Sequence, residues 1–218
     1  RRIMDSWIWQ PGYPLVTASL VDGSLRLGQR RFRFDADGTG PGEQLWAIPI
    51  QVRNGGITTT VLLDGPETTT TIVDPDGPVV VNAGGSGYYR VDYDDTLRHR
   101  LDVAALAELT TLERYNLVDD AWAATIAGRL AASELLVMLE AFANERDHAV
   151  WQAIVIALRG LNRLLDDGAA HDERRVARAL QLLAGLAGAA ADVVLADVML
   201  VRAVDGGLRR VRRLLGAA

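Results

Sequence analysis

Cysteine and lysine are both absent from this chain of 218 residues. The missing thiols exclude a disulfide framework and any thiolate-ligated metal. The missing lysine makes all 23 basic residues arginine, a bias that, beside abundant alanine, reflects GC-rich bacterial coding rather than a chemical task. Histidine is scarce: His99, His148 and His171 lie far apart, and none has a second histidine one helical turn away. That excludes the paired-histidine helix on which a zinc-activated water is built. No run of about 18 uncharged apolar residues occurs, and the least polar stretch, Leu180 to Leu195, is interrupted by Asp192. The first residues, Arg1-Arg2-Ile3-Met4-Asp5, lack the apolar run of a secretion signal, and there is no Asn-x-Ser/Thr acceptor. A formal net charge of -5 runs against phosphate binding, which needs a concentrated basic surface. From these absences we expect a bacterial, cytoplasmic protein with no membrane span and no nucleic-acid partner.

What is present divides into two halves of different kind. Up to about Asp94 the chain is rich in β-branched residues and punctuated by Gly, Pro, Asp and Asn, the pattern of short strands joined by turns. Strands are predicted at Leu15–Leu20, Ser24–Phe34, Trp46–Arg53, Gly56–Leu63, Thr68–Val73, Val79–Asn82 and Tyr88–Tyr93. Asp22-Gly23 and Asn54-Gly55 are turn dipeptides suited to tight hairpins, and Asp35 to Gly42 reads as a looser connection. No helical crossover separates these strands, so an antiparallel two-sheet sandwich over residues 1–95 is predicted.

From about Thr96 the period changes. Thr110 with Glu113 makes a capping box, and Tyr115, Val118, Trp122, Ile126 and Leu130 follow on one helical face. Ser133 is read as the cap of a shorter helix through Phe142. Asp147 is read as the cap of another through about Leu165, striped by Val150, Trp151, Ile154, Leu158, Leu161 and Leu165. With the alanine-rich remainder, residues 96–218 read as an α-helical array, solenoid-like in its paired antiparallel helices.

Three ordered segments carry a family resemblance: Met4-Asp5-Ser6-Trp7-Ile8-Trp9-Gln10-Pro11-Gly12-Tyr13-Pro14-Leu15, then Asn82-Ala83-Gly84-Gly85-Ser86-Gly87-Tyr88-Tyr89-Arg90-Val91-Asp92-Tyr93-Asp94, then Glu113-Arg114-Tyr115-Asn116-Leu117-Val118-Asp119-Asp120-Ala121-Trp122. Over roughly residues 3 to 160 the chain resembles the rear part of the aminopeptidase N family of zinc metalloaminopeptidases. The resemblance implies a parent enzyme that removes N-terminal amino acids from peptides, with zinc in that parent. It also implies a sandwich acting as a spacer and a helical domain that limits substrate size. The Trp7, Trp9 and Tyr13 cluster would then face the parent's catalytic domain. After about Gly168 the chain departs from the family pattern, being richer in alanine and shorter.

The family's chemistry needs a His-Glu-x-x-His helix, and none is present, so no catalytic, metal or cofactor-binding residue is expected in this segment. Glu145-x-x-His148 matches half of a di-metal site, but that chemistry needs two such pairs and further glutamates on facing helices, and a surface pair at a helix start is the better account. Gly84-Gly85-Ser86-Gly87 lacks the lysine and following helix of a phosphate cradle, and the glycine spacing of a nucleophile elbow. The carboxylate pairs Asp94-Asp95, Asp119-Asp120 and Asp166-Asp167 are adjacent, hence splayed by about 100° on a helix, and do not converge on one substrate atom. Asp94-Asp95 are predicted to cap the first helix of the second half, and Asp119 and Asp120 to meet arginines of neighbouring helices. Two other functions stay open: a free-standing peptide- or protein-binding module, and a membrane-surface or polyanion contact through the tail from Arg202 to Arg213, for which a solvated last helix with arginines at the C-terminal end of its dipole is the better account.

Overall fold

The computed structural model describes residues 2–34 and 44–166. A short helix, α1 (Arg2–Ile8), precedes seven strands: β1 (Pro14–Val21), β2 (Ser24–Arg31), β3 (Ile48–Asn54), β4 (Ile57–Leu63), β5 (Glu67–Thr71), β6 (Val79–Val81) and β7 (Arg90–Tyr93). Each overlaps a predicted strand. The strands form a four-stranded sheet ordered β5-β2-β1-β7 and a three-stranded sheet ordered β4-β3-β6. Asp22 and Gly23, both at positive φ, make the tight turn between β1 and β2. Between β3 and β4 the register leaves Gly55-Gly56 as the turn, and Asn54 is freed to clip the next loop, donating to Asp74 O and accepting from Asp74 N.

One correction concerns strand direction. The sandwich is mixed, because β7 lies parallel to β1, with Leu15 opposite Arg90 and Ala18 opposite Tyr93. A parallel neighbour requires a long excursion between the two strands. Here β2 through β6 supply it, and the chain then returns from the second sheet through residues 82–89.

Alternation along the strands defines two apolar layers. Val16, Ala18, Leu25, Leu27, Val91 and Tyr93 are buried in the first sheet, and Ile48, Ile50, Val52 and Leu63 in the second. Two polar side chains tie these sheets. Gln29 donates to Trp46 O and Gly65 O and accepts from Trp46 N; the Tyr93 hydroxyl donates to Val81 O and accepts from Val81 N. Burial pushes the Tyr93 phenol above its ordinary pKa, so it stays a neutral donor. On the other face of β1, Leu15 packs with Phe32 and Ala123.

Three helices follow: α2 (Asp95–His99), α3 (Val103–Ala107) and α4 (Thr111–Ile126). Asp94 caps α2, accepting from Leu97 N at 2.8 Å, and Asp95 lies in the first turn. The capping box of α4 is present, Thr110 accepting from Glu113 N and Glu113 from Thr110 N. The buried face of α4 differs from the expected stripe: Glu113, Val118, Ala123 and Ala124 are buried, Trp122 is half-buried and Ile126 is exposed. Small and paired polar side chains let this helix sit close against a sheet, whereas the larger apolar residues fall to the side.

The sheets and α2–α4 belong to one compact unit, residues 1–129; residues 130–218 form a second. In the second, α5 (Ala132–Glu140) buries Leu135, Leu136 and Leu139. Its start is fastened by Glu134, which accepts from Ala131 N. Helix α6 (His148–Asp166) starts at Asp147, which accepts from Ala149 N, and buries Val150, Trp151, Ile154, Leu158 and Leu161 as the period predicts. The Asp35 to Gly42 connection, Asp167, His171, the alanine-rich region and the Arg202 to Arg213 tail lie outside the described residues.

Candidate functional site

Helix α1 is fastened to the segment before β3 by three hydrogen bonds. Trp7 Nε1 donates to Ala47 O at 3.1 Å, Gln10 Nε2 donates to Leu45 O at 2.9 Å, and Ser6 Oγ accepts from Ala47 N at 3.0 Å. These contacts start a run of rings. Trp7 lies 6.2 Å from both buried Trp46 and Tyr88, Tyr88 is 5.7 Å from Tyr13, Tyr13 stacks on Phe32 at 5.3 Å, and Phe34 meets Phe32 edge-on at 4.9 Å. Inner members are packed, but Trp9 is 80% exposed, Tyr88 71% and Phe34 56%, with Ile3, Met4 and Ile8 of α1 also exposed. The result is an aromatic surface anchored in the core at one side and open to solvent on the other, the composition favoured where proteins meet.

Of the expected cluster, Trp7 and Tyr13 lie in this run of rings and Trp9 stands exposed just after α1, while Phe32, Phe34 and Tyr88 were not expected from the sequence. The available signal was Phe32-Arg33-Phe34 at the close of β2, where the alternation of a strand end puts both rings on one side. For Tyr88 no periodicity could help, because it stands in an irregular loop brought near α1 only by the return of the chain to β7.

Behind this surface lies a polar seam between α4 and the sandwich. Its residues recur at Glu113, Asn116 and Asp120, one face of the helix. The Glu113 carboxylate is almost wholly buried and takes a bidentate pair from Arg53 at 2.7 and 2.9 Å, together with the N–H groups of Gly84 and Thr110. Burial alone would raise its pKa; the Arg53 and backbone hydrogen bonds outweigh that and hold it below the ordinary carboxylate value. Asn116 donates to Gly85 O at 3.0 Å. Gly85 is at positive φ, and a Cβ there would come within 2.6 Å of Leu112 Cγ, so the glycine run seats the start of α4.

Farther along, Asp120 accepts from Val91 N and from Arg90 Nη1, each at 3.0 Å, while Asp119 takes the same Arg90 nitrogen at 2.7 Å. The partner of both carboxylates is thus a strand residue and not the neighbouring-helix arginine expected from sequence. Burial pushes the Asp120 carboxyl up to about 7 against the pull of Val91 N–H and Arg90. Arg129 meets Asp92 at 3.3 Å, and the guanidiniums of Arg90 and Arg129 lie over the Phe32 ring at 5.3 and 5.2 Å. Phe32 therefore belongs to both the aromatic surface and the seam.

None of these groups forms a nucleophile with a base. Among the described residues no group of three or more His, Cys, Asp or Glu is placed to hold a metal ion. His99 is engaged with Asp95 O at 2.6 Å, and Glu145 accepts from Arg146 and Asp147 N–H at the turn before α6. No described helix is long and apolar enough to cross a membrane.

A family model described as the ERAP1-like C-terminal domain matches residues 78–196, from β6 through the seam and the helices. Tricorn protease-interacting factor F2 of Thermoplasma acidophilum is 31% identical over 183 residues, covering 81% of this chain and 22% of that protein. Aminopeptidase M1 of Arabidopsis thaliana is 30% identical over 172 residues, covering 71% of this chain and 19% of that protein. Leucyl aminopeptidase of Saccharolobus solfataricus is 30% identical over 145 residues, covering 66% and 18%. The chain thus spans about a fifth of the length of these curated relatives. It belongs to the ERAP1-like C-terminal domain family and corresponds to the C-terminal region of an aminopeptidase of the aminopeptidase N type.

Proposed function

We propose that this chain is the non-catalytic rear of a zinc metalloaminopeptidase, with the enzyme's own catalytic domain as its partner and peptides as the substrates of the whole. The observation that carries this reading is the aromatic surface around Trp7, Trp9 and Tyr13, whose outer rings are left to solvent while its inner rings are locked to the core. An exposed, rigidly backed patch of this kind is stabilised by an apolar partner. The catalytic domain would cover it, and the zinc, its histidines and the general base would all be supplied from there. In this reading the sandwich, about residues 1–95, is the spacer. Residues 96–218 would supply the helical part that bounds the space available to the peptide. The enzyme would be bacterial and cytoplasmic.

The reading is tested by assaying aminoacyl-anilide hydrolysis with this chain and with the longest reading frame that contains it. The chain alone should show no turnover at any pH. The longer protein should hydrolyse the anilides and lose that activity to a chelator. Chelator-resistant turnover by the purified chain, or an inert longer protein with an intact zinc motif, would overturn the proposal.

A further inference from the structure

The Arg90 guanidinium is asked to serve more acceptors than one of its ends can satisfy. Its Nη1 faces Asp119 O at 3.1 Å, Asp119 Oδ2 at 2.7 Å and Asp120 Oδ1 at 3.0 Å, yet that nitrogen carries only two hydrogens. Two adjacent carboxylates thus compete for one cationic group. One of them, Asp120, is only 11% exposed and has spent its second oxygen on Val91 N–H. Two like charges held this close on one partner favour taking up a proton, as paired carboxylates do.

The remaining charged and titratable neighbours do not relieve the excess. On β7, Asp92 is occupied by Arg129, and Tyr93 is neutral. Tyr89, just before the strand, is held neutral by burial and by the Asp120 charge. Arg90 Nε reaches the Tyr13 hydroxyl at 3.4 Å. About two turns nearer the start of α4, Glu113 is matched by Arg53. Arg30 of β2 presses on Arg129, whose pKa it helps to lower.

We propose that Asp119, Asp120 and Arg90 form a protonation-controlled latch between α4 and β7: a proton from solvent on the Asp120 carboxyl leaves one carboxylate per guanidinium and tightens the helix on the strand, and its loss loosens them. The Asp120 carboxyl lies near neutrality because of burial, so the latch works in the range where cellular pH moves. Arg90, Asp119 and Asp120 all fall inside the segment matched by the family model. What it regulates is how firmly the first long helix is held to the sandwich.

The test uses the whole chain. Carbon-13 NMR of the Asp120 carboxyl should show it ionising near neutrality, with the Val91 amide shift moving at the same midpoint. Between about pH 5 and 7 the urea unfolding constant should rise with pH, by up to about tenfold per unit for one linked proton. Asp120→Asn, which mimics the protonated form, should remove that slope; Asp119→Asn should shift the Asp120 midpoint downward. An Asp120 carboxyl ionising in the ordinary carboxylate range, a Val91 amide indifferent to its titration, or an unchanged slope in Asp120→Asn would each overturn the latch. If Asp120→Asn does not fold, the two NMR titrations of the unaltered chain decide.

Discussion

Glu113 has every acceptor position filled: each oxygen takes one Arg53 N–H and one backbone N–H, from Gly84 on one side and Thr110 on the other. A buried charge so satisfied costs little to keep and much to break, because removing one partner strands the other. Glu113→Ala should cost about 3–5 kcal/mol in urea unfolding at neutral pH. It would leave Arg53 without its counter-charge and open the start of α4. The same residue fixes an acid limit. Its folded pKa lies below its unfolded one, so its contribution is present above the ordinary carboxylate value of about 4.3 and is lost as pH falls through the folded value. In Glu113→Gln the acid limb of the stability profile should flatten. An unchanged limb would place the acid sensitivity elsewhere. Such residue-level roles were only half legible: the capping box is a four-residue pattern that names Thr110 and Glu113, whereas Arg53 is sixty residues away in sequence and nothing local announces it.

At the scale of elements, the cap of α2 does two tasks. Asp94 Oδ1 accepts from Leu97 N and Oδ2 from Leu20 N, joining the end of β7 to β1. Asp94→Ala should lower stability by about 0.5–2 kcal/mol, the range for a lost N-cap, with the loss appearing as faster amide exchange at both Leu97 and Leu20. Exchange altered at Leu97 alone would confine Asp94 to the helix cap. All seven strands were legible because alternation and turn residues are local signals. The direction of β7 was not, since pairing order depends on which strand lies beside which. The face of α4 was misread for a related reason. A hydrophobic stripe locates a helix face only when burial is apolar, and here, beside Val118 of the expected stripe, the buried face is made of paired charges and alanine. Trp122 is half-buried, so Trp122→Ala should cost less than the roughly 3–5 kcal/mol of a fully buried aromatic.

For the molecule as a whole, the aromatic surface has a side packed into the core and a side left to solvent. Trp46 and Trp9 are the two extremes: Trp46 is 1% exposed and gripped by Gln29 through both backbone groups, while Trp9 is 80% exposed at the end of α1. Trp46→Ala should cost about 3–5 kcal/mol, a core aromatic with its cavity, in any length of the protein. Trp9→Ser should change the stability of this chain by no more than about 0.5 kcal/mol, as for an ordinary surface position. In a longer protein that includes the catalytic domain the same substitution should be destabilising and should lower aminopeptidase activity, because there Trp9 would be covered. Thermal denaturation of both lengths, each with and without the substitution, makes the comparison. Equal small effects in the two lengths would mean that the catalytic domain does not sit on this surface, and the exposed rings of α1 and Tyr88 would need a different partner.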